Sequence, residues 1–214
     1  MKLFPSAPTP LQHRRPPETQ WRNAVVGGPP LTAAGDDGGG HLSNGRLGMM
    51  LLVGTETVLF SSFIGAYLVL RMGAGMWPPA GTPVLTLGLS SVNTSLLVLS
   101  SILVQLRRLT ATWWLGITFL GLQALEFHRL YARGLTLQTG TYGALFYSLI
   151  TCHALHVLGG LIILAIARAK LSRDPSPPPS PAGGEGVQWM GNAQLYWHFV
   201  TAVWLVLFSI LYIL

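Results

Sequence analysis

Charge is scarce in this chain. Only 9% of its 214 residues are charged, against roughly 25% in an ordinary soluble domain, so water is not the solvent for most of its surface. Cysteine is scarcer: Cys152 stands alone inside an apolar run, which excludes an intrachain disulfide and a thiolate metal site. A phosphate-cradling glycine loop, a nucleophile with its base and a zinc-protease helix are all missing. The formal charge of +6 forms no single stripe and no aromatic-interleaved patch, so nucleic acid is excluded as a partner. The alternating ~10-residue pattern of a barrel strand is absent too.

What is present is apolar sequence in long runs. Five stretches are apolar all round for about 20 residues, the length that crosses a ~30 Å hydrocarbon core. They lie at about 47–70, 84–106, 112–130, 142–168 and 189–214. Backbone groups in lipid must be bonded within the protein, so these runs predict an all-α, integral membrane bundle of five transmembrane helices over 45–214. Residues 1–44, with PSAPTP, RRPPE and DDGGG, are too poor in large apolar groups to offset ordering entropy and read as a disordered cytoplasmic tail. No apolar core follows their basic residues, so a cleaved signal peptide is not expected there. A second Pro/Gly-rich stretch, 174–186, reads as a flexible linker between the fourth and fifth spans.

The basic residues sort by membrane side. Lys2, Arg14, Arg15, Arg22, Arg46, Arg107, Arg108, Arg168, Lys170 and Arg173 fall on one side and Arg71, Arg129 and Arg133 on the other. The positive-inside rule then puts the N-terminus in the cytoplasm and the C-terminus outside.

Ionisable groups within the spans are the candidates for function, because each costs roughly 2.5–3.5 kcal/mol or more at mid-bilayer unless it meets a partner or water. Glu56 and His198 each lie about 13 Å deep from the inner side, and His153 and His156 enter from the outer side to about 16–21 Å. Those depths predict one shared polar layer. Glu126, about 21 Å from the inner side with Gln123 one turn back and His128 and Arg129 following, is a further candidate buried polar or lipid-contact group, or else half of an interfacial ion pair. His153 and His156 share a helical face and, with His198, leave open a haem-binding anchor; a di-iron site is disfavoured because Glu126 and His128 have the wrong offset. Glu56 is readable as a proton-relay or lipid-contact group, or as a neutral acid bonded to a neighbouring helix.

The order of these features carries a resemblance. TETVLFSSFIGAY, the WPP turn, TLGLSSVNTSLL, QALEFHRL, CHALHVLGG and YWHFVTAVWL follow one another in a way that resembles cytochrome c oxidase subunit III, in its five-span form, over about residues 47–214. The resemblance implies a non-catalytic subunit packed beside catalytic subunit I and subunit II of a haem–copper terminal oxidase, which reduces dioxygen and translocates protons. It implies haem and copper in those partner subunits and none in this chain, with bound phospholipid held in a cleft, and a multi-pass protein of a bacterial-type cell inner membrane. By motif, Glu56 corresponds to the family's buried glutamate, Glu126 to its Q-x-x-E segment, His153 and His156 to its histidine pair, and His198 to its histidine after tryptophan. Thr201 stands where the family commonly has aspartate, so a contact made by that carboxylate is expected to change. Ala154 and Leu155 stand between the paired histidines, where a glycine is usual. The related accessory subunit of nitric oxide reductase, which would share these spans but lack proton-pumping partners, is the alternative.

Overall fold

Five helices follow one another in a computed structural model that describes residues 44–83, 87–173 and 185–214. They are α1 (Asn44–Gly73), α2 (Leu87–Gln105), α3 (Leu109–Ala132), α4 (Thr141–Arg173) and α5 (Glu185–Phe208), the last continuing into a π-helical turn, Ser209–Ile213. The tail and linker expected at 1–44 and 174–186 fall almost wholly outside the described residues. Each apolar run of the sequence has become a helix, with ends displaced by a few residues.

Four of the five, α1, α2, α4 and the helix reaching from Gly186 to Ile213, are long and apolar enough to cross a membrane. Helix α3 has 24 residues, about 36 Å at 1.5 Å per residue, so its length suffices. Its mean apolarity is lowered by Gln123 and Glu126, and both of those side chains are buried inside the bundle.

Packing is densest between α4 and α5 and between α2 and α3; α5 also touches α2 and α1. Helix α5 is therefore the hub, and two of its three tryptophans, Trp197 and Trp204, are wholly buried. Glycine admits the first of them. A Cβ on Gly116 would lie 2.7 Å from the Trp197 ring and 2.8 Å from Leu161, so no other residue fits at this crossing without displacement. Helix α2 buries Ser90, Asn93, Leu97, Ser100 and Val104, a stripe with alternating spacings of three and four residues, as expected for a helix seam.

The turn from α2 to α3 is tight. Arg107 has φ of 58°, in the left-handed region, while its N–H donates to the Val104 carbonyl and the Arg108 N–H donates to the Leu103 carbonyl. This is the Schellman arrangement, with arginine in the position glycine usually takes.

Candidate functional site

The mid-depth ionisable groups do not share one network. They separate into a pair, a caged ring and a stitched ring, because α1, α2 and α3 approach α4 and α5 from different sides.

The pair joins α1 to α4. His156 Nε2 lies 2.7 Å from Glu56 Oε2, and His156 Nδ1 lies 2.7 Å from the Cys152 carbonyl one turn back. A carbonyl only accepts, so the hydrogen-bond network assigns the Nδ1 position a proton. The Nε2 to Oε2 contact then holds a single proton, on whichever atom it rests, and the pair carries no net charge. That neutrality removes most of the cost of placing a carboxyl group at this depth. The side chains keep 15% and 22% of their surface, so the pair stands at the rim of the bundle. The Phe60 ring packs edge-on over His156 at 4.9 Å.

The caged ring is His153, only 1% exposed. It stacks on Trp204 at 5.0 Å and meets the edges of Phe119 and Phe60 at 6.0 and 6.4 Å. Neither of its nitrogens has a hydrogen-bond partner among the described residues. Here an imidazole serves as an aromatic plate.

The stitched ring is His198, whose partners are both on α2: Ser101 Oγ at 2.6 Å from Nδ1 and Gln105 Oε1 at 3.1 Å from Nε2. Three further bonds join the same two helices. The Trp197 Nε1–H donates to Ser100 Oγ and the Trp204 Nε1–H to Thr94 Oγ1, both at 2.9 Å. Gln194 Nε2 donates to the Val104 carbonyl at 3.0 Å, and Ser100 in turn donates to the Leu97 carbonyl at 2.6 Å.

Of the two readings of Glu126, the structure has the buried one: it is 2% exposed and accepts a 2.5 Å hydrogen bond from Ser90 on α2. One turn away Asn93 Nδ2 donates to Gln123 Oε1 at 3.1 Å, so two rungs tie α3 to α2. Tyr212 in the π-helical turn closes over them, its hydroxyl beside Glu126, Ser90 and Gln123. The reason is geometric: Gln123 and Glu126 share the face of α3 that looks at α2, while His128 and Arg129 point outward and are exposed. Thr201, at the position expected to hold a carboxylate, is buried and returns its hydroxyl to the Trp197 carbonyl at 2.9 Å.

The α2 partners Ser90, Asn93, Thr94, Ser100, Ser101 and Gln105 are the residues that reading the sequence for charge passes over. Their spacing was the available signal, since 90, 93, 97, 100 and 104 form one stripe and 101 and 105 stand one turn apart. Among the described residues, no group of three or more His, Cys, Asp or Glu side chains is placed to hold a metal ion.

Comparison with known proteins agrees with this geometry. The family profile described as cytochrome c oxidase subunit III matches residues 32–214. Cytochrome c oxidase subunit 3 of Synechocystis is 35% identical over 82% of this chain and 78% of its own length. The protein of the same name from Thermostichus vulcanus is 30% identical, covering 78% of this chain and 86% of its own. A relative in Pseudomonas putida, named cytochrome bo(3) ubiquinol oxidase subunit 3, is also 30% identical, over 78% of this chain and 84% of that one.

Proposed function

The chain belongs to the cytochrome c oxidase subunit III family, and from that premise we propose that it is the non-catalytic third subunit of a respiratory haem–copper terminal oxidase. It packs beside subunits I and II, which carry the haem and copper, and it steadies the catalytic subunit through sustained turnover. All five helices cross a bacterial-type inner membrane, N-terminus inside and C-terminus outside; α3 is included because its polar groups are spent against α2, not on water or lipid. The observation that carries the reading is where the ionisable side chains go. Glu56, Glu126, His156 and His198 each bond a neighbouring helix, which is the work of a scaffold, and His153 is enclosed by aromatic rings. The rim position of the Glu56–His156 pair supports contact with phospholipid there.

The test is purification of the tagged chain in mild detergent from its native membrane, with identification of what accompanies it and an optical spectrum. Dioxygen-reducing subunits I and II are expected, with haem absorbance that disappears when this chain is separated from them. Stoichiometric haem in the isolated chain would refute the reading, and a nitric-oxide-reducing partner would replace it with the accessory subunit of that enzyme. The relatives are named for both cytochrome c and ubiquinol, so the accompanying subunit II identifies the electron donor.

A further inference from the structure

The two rungs that tie α3 to α2 leave polar atoms over. Glu126 takes the Ser90 hydroxyl on Oε1, and Gln123 takes the Asn93 amide on Oε1. The other polar atom of each group, Glu126 Oε2, Gln123 Nε2 and Asn93 Oδ1, is buried and has no hydrogen-bond partner among the described residues. The side chains are 2%, 3% and 0% exposed. A further such atom is the Tyr212 hydroxyl oxygen, which sits beside Glu126, Ser90 and Gln123 without completing a hydrogen bond to any of them. It reaches them from the π-helical turn, a rare geometry found mostly at functional sites. That turn is well held. The Leu214 N–H donates to the Ser209 carbonyl at 3.0 Å, the Tyr212 ring stacks on Phe208 at 5.4 Å, and Arg71 at the end of α1 donates to the Leu214 carbonyl.

We propose that Asn93 Oδ1, Gln123 Nε2, Glu126 Oε2 and the Tyr212 hydroxyl bind one internal water molecule, which joins the terminal turn of α5 to the α2–α3 pair. Spacing agrees. The two polar ends of an amide or carboxyl group lie about 2.2 Å apart, so each orphaned atom stays close to its rung. Residues one turn apart on a helix stand about 5–6 Å apart at Cβ, and two atoms that share a water at about 2.8 Å stand up to about 5.6 Å apart. The partners suffice as well, since a buried water makes about three hydrogen bonds, within a range of two to four. Chemistry selects water over an ion. The set holds an acceptor in Asn93 Oδ1 and a donor in Gln123 Nε2, and exchanging N with O in both amides keeps the rung and again leaves one of each. A bare cation would face that N–H group, and an anion would face Glu126. Water meets both: it donates to Asn93 Oδ1 and Glu126 Oε2 and accepts from Gln123 Nε2 and the Tyr212 hydroxyl. With a proton on Oε2 the carboxyl donates to the water and Tyr212 accepts from it, so either form of Glu126 fills the site. Buried polar groups left unpaired are costly, and a gathering of them at one place marks a site, not a packing fault.

The experiment uses the full chain, in whatever complex it is purified with. A density map at atomic detail is expected to show one peak at about 2.7–3.2 Å from at least three of these atoms. The infrared spectrum should contain an O–H stretch that shifts when oxygen-18 water replaces ordinary water. Peak and band should both be lost in Asn93→Leu with Gln123→Leu, which exchanges both partners of one rung for apolar groups and so leaves no half-rung unpaired. Tyr212→Phe removes a single hydroxyl, should at least halve the band, and decides the matter if the double variant does not accumulate. Thr118→Ala, at an exposed position of α3, should change neither. A map in which the Tyr212 hydroxyl bonds Glu126 Oε2 directly, with no peak between them, would overturn the proposal. So would a peak at about 2.3–2.6 Å from the oxygens that appears only with an added cation, since the ligand would then be a metal ion. Where the map does not resolve single waters, a wild type without the isotope-sensitive band, or a band untouched by the Asn93, Gln123 and Tyr212 variants, overturns it equally.

Discussion

Glu56 and His156 make a hydrogen-bonded couple whose worth depends on shape and on one shared proton. Glu56→Gln keeps both: its amide can donate to His156 Nε2, so assembly and thermal stability are expected to match the wild type. Glu56→Leu differs, since it leaves His156 Nε2 without its partner and is expected to cost about 1–3 kcal/mol, read as a lower melting temperature of the solubilised protein. At His198 the expectation is milder. His198→Leu removes the bonds to Ser101 and Gln105, and hydrogen bonds between membrane helices average about 0.6 kcal/mol with a maximum near 1.7, so a loss of about 1–2 kcal/mol is expected in detergent. At this scale, counting residues from the ends of an apolar run gives an expected height in the bilayer but no direction. Height alone cannot tell that Glu56 finds His156 while His198 turns away to α2, because that depends on the rotation of each helix against its neighbours.

At the scale of the element, the five helices could be read almost directly, since unbroken apolar runs leave the backbone no alternative in lipid. Helix α3 was the least apolar of them for a reason visible only in three dimensions: its Gln123 and Glu126 are the two lower halves of rungs begun by Asn93 and Ser90. Serines and an asparagine in an otherwise apolar α2 look like small packing residues in sequence, and their partners lie 30 and 36 residues further on. Glycines give a sharper test of the packing. Gly116→Val drives side-chain atoms into Trp197 and Leu161 and should destabilise the bundle by about 1–3 kcal/mol. Gly121→Ala, on the same helix with nothing within 4 Å of the new Cβ, should be silent in the same melting measurement. If both behave alike, the α3–α5 crossing is not as close as described.

For the whole molecule, the exposed surface of α1 is the informative feature. Leu51, Val58, Val69 and Met72 are among its most exposed side chains, each above 60%, which in water would be an aggregation hazard and in a bilayer is simply contact with lipid or a partner subunit. Orientation makes the corresponding prediction. Reporter fusions in the loop between α2 and α3 should be active only as cytoplasmic reporters, and fusions in the loop between α3 and α4 only as external ones; the reverse pattern would invert the assignment made from arginine distribution. The family itself was legible from the ordered motifs, above all YWHFVTAVWL, whose two tryptophans and histidine all bond α2.

The separation of Glu56 from His156 by 100 residues also has a bearing on biosynthesis. A ribosome adding about 5–20 residues per second needs roughly 5–20 s to reach the histidine after making the glutamate. Throughout that interval α1 waits in or beside the translocon with an acid that has no mate, and the helix that completes it is the fourth to emerge. The order of synthesis thus makes closure of α1 a late event, one that certifies that everything between has been inserted.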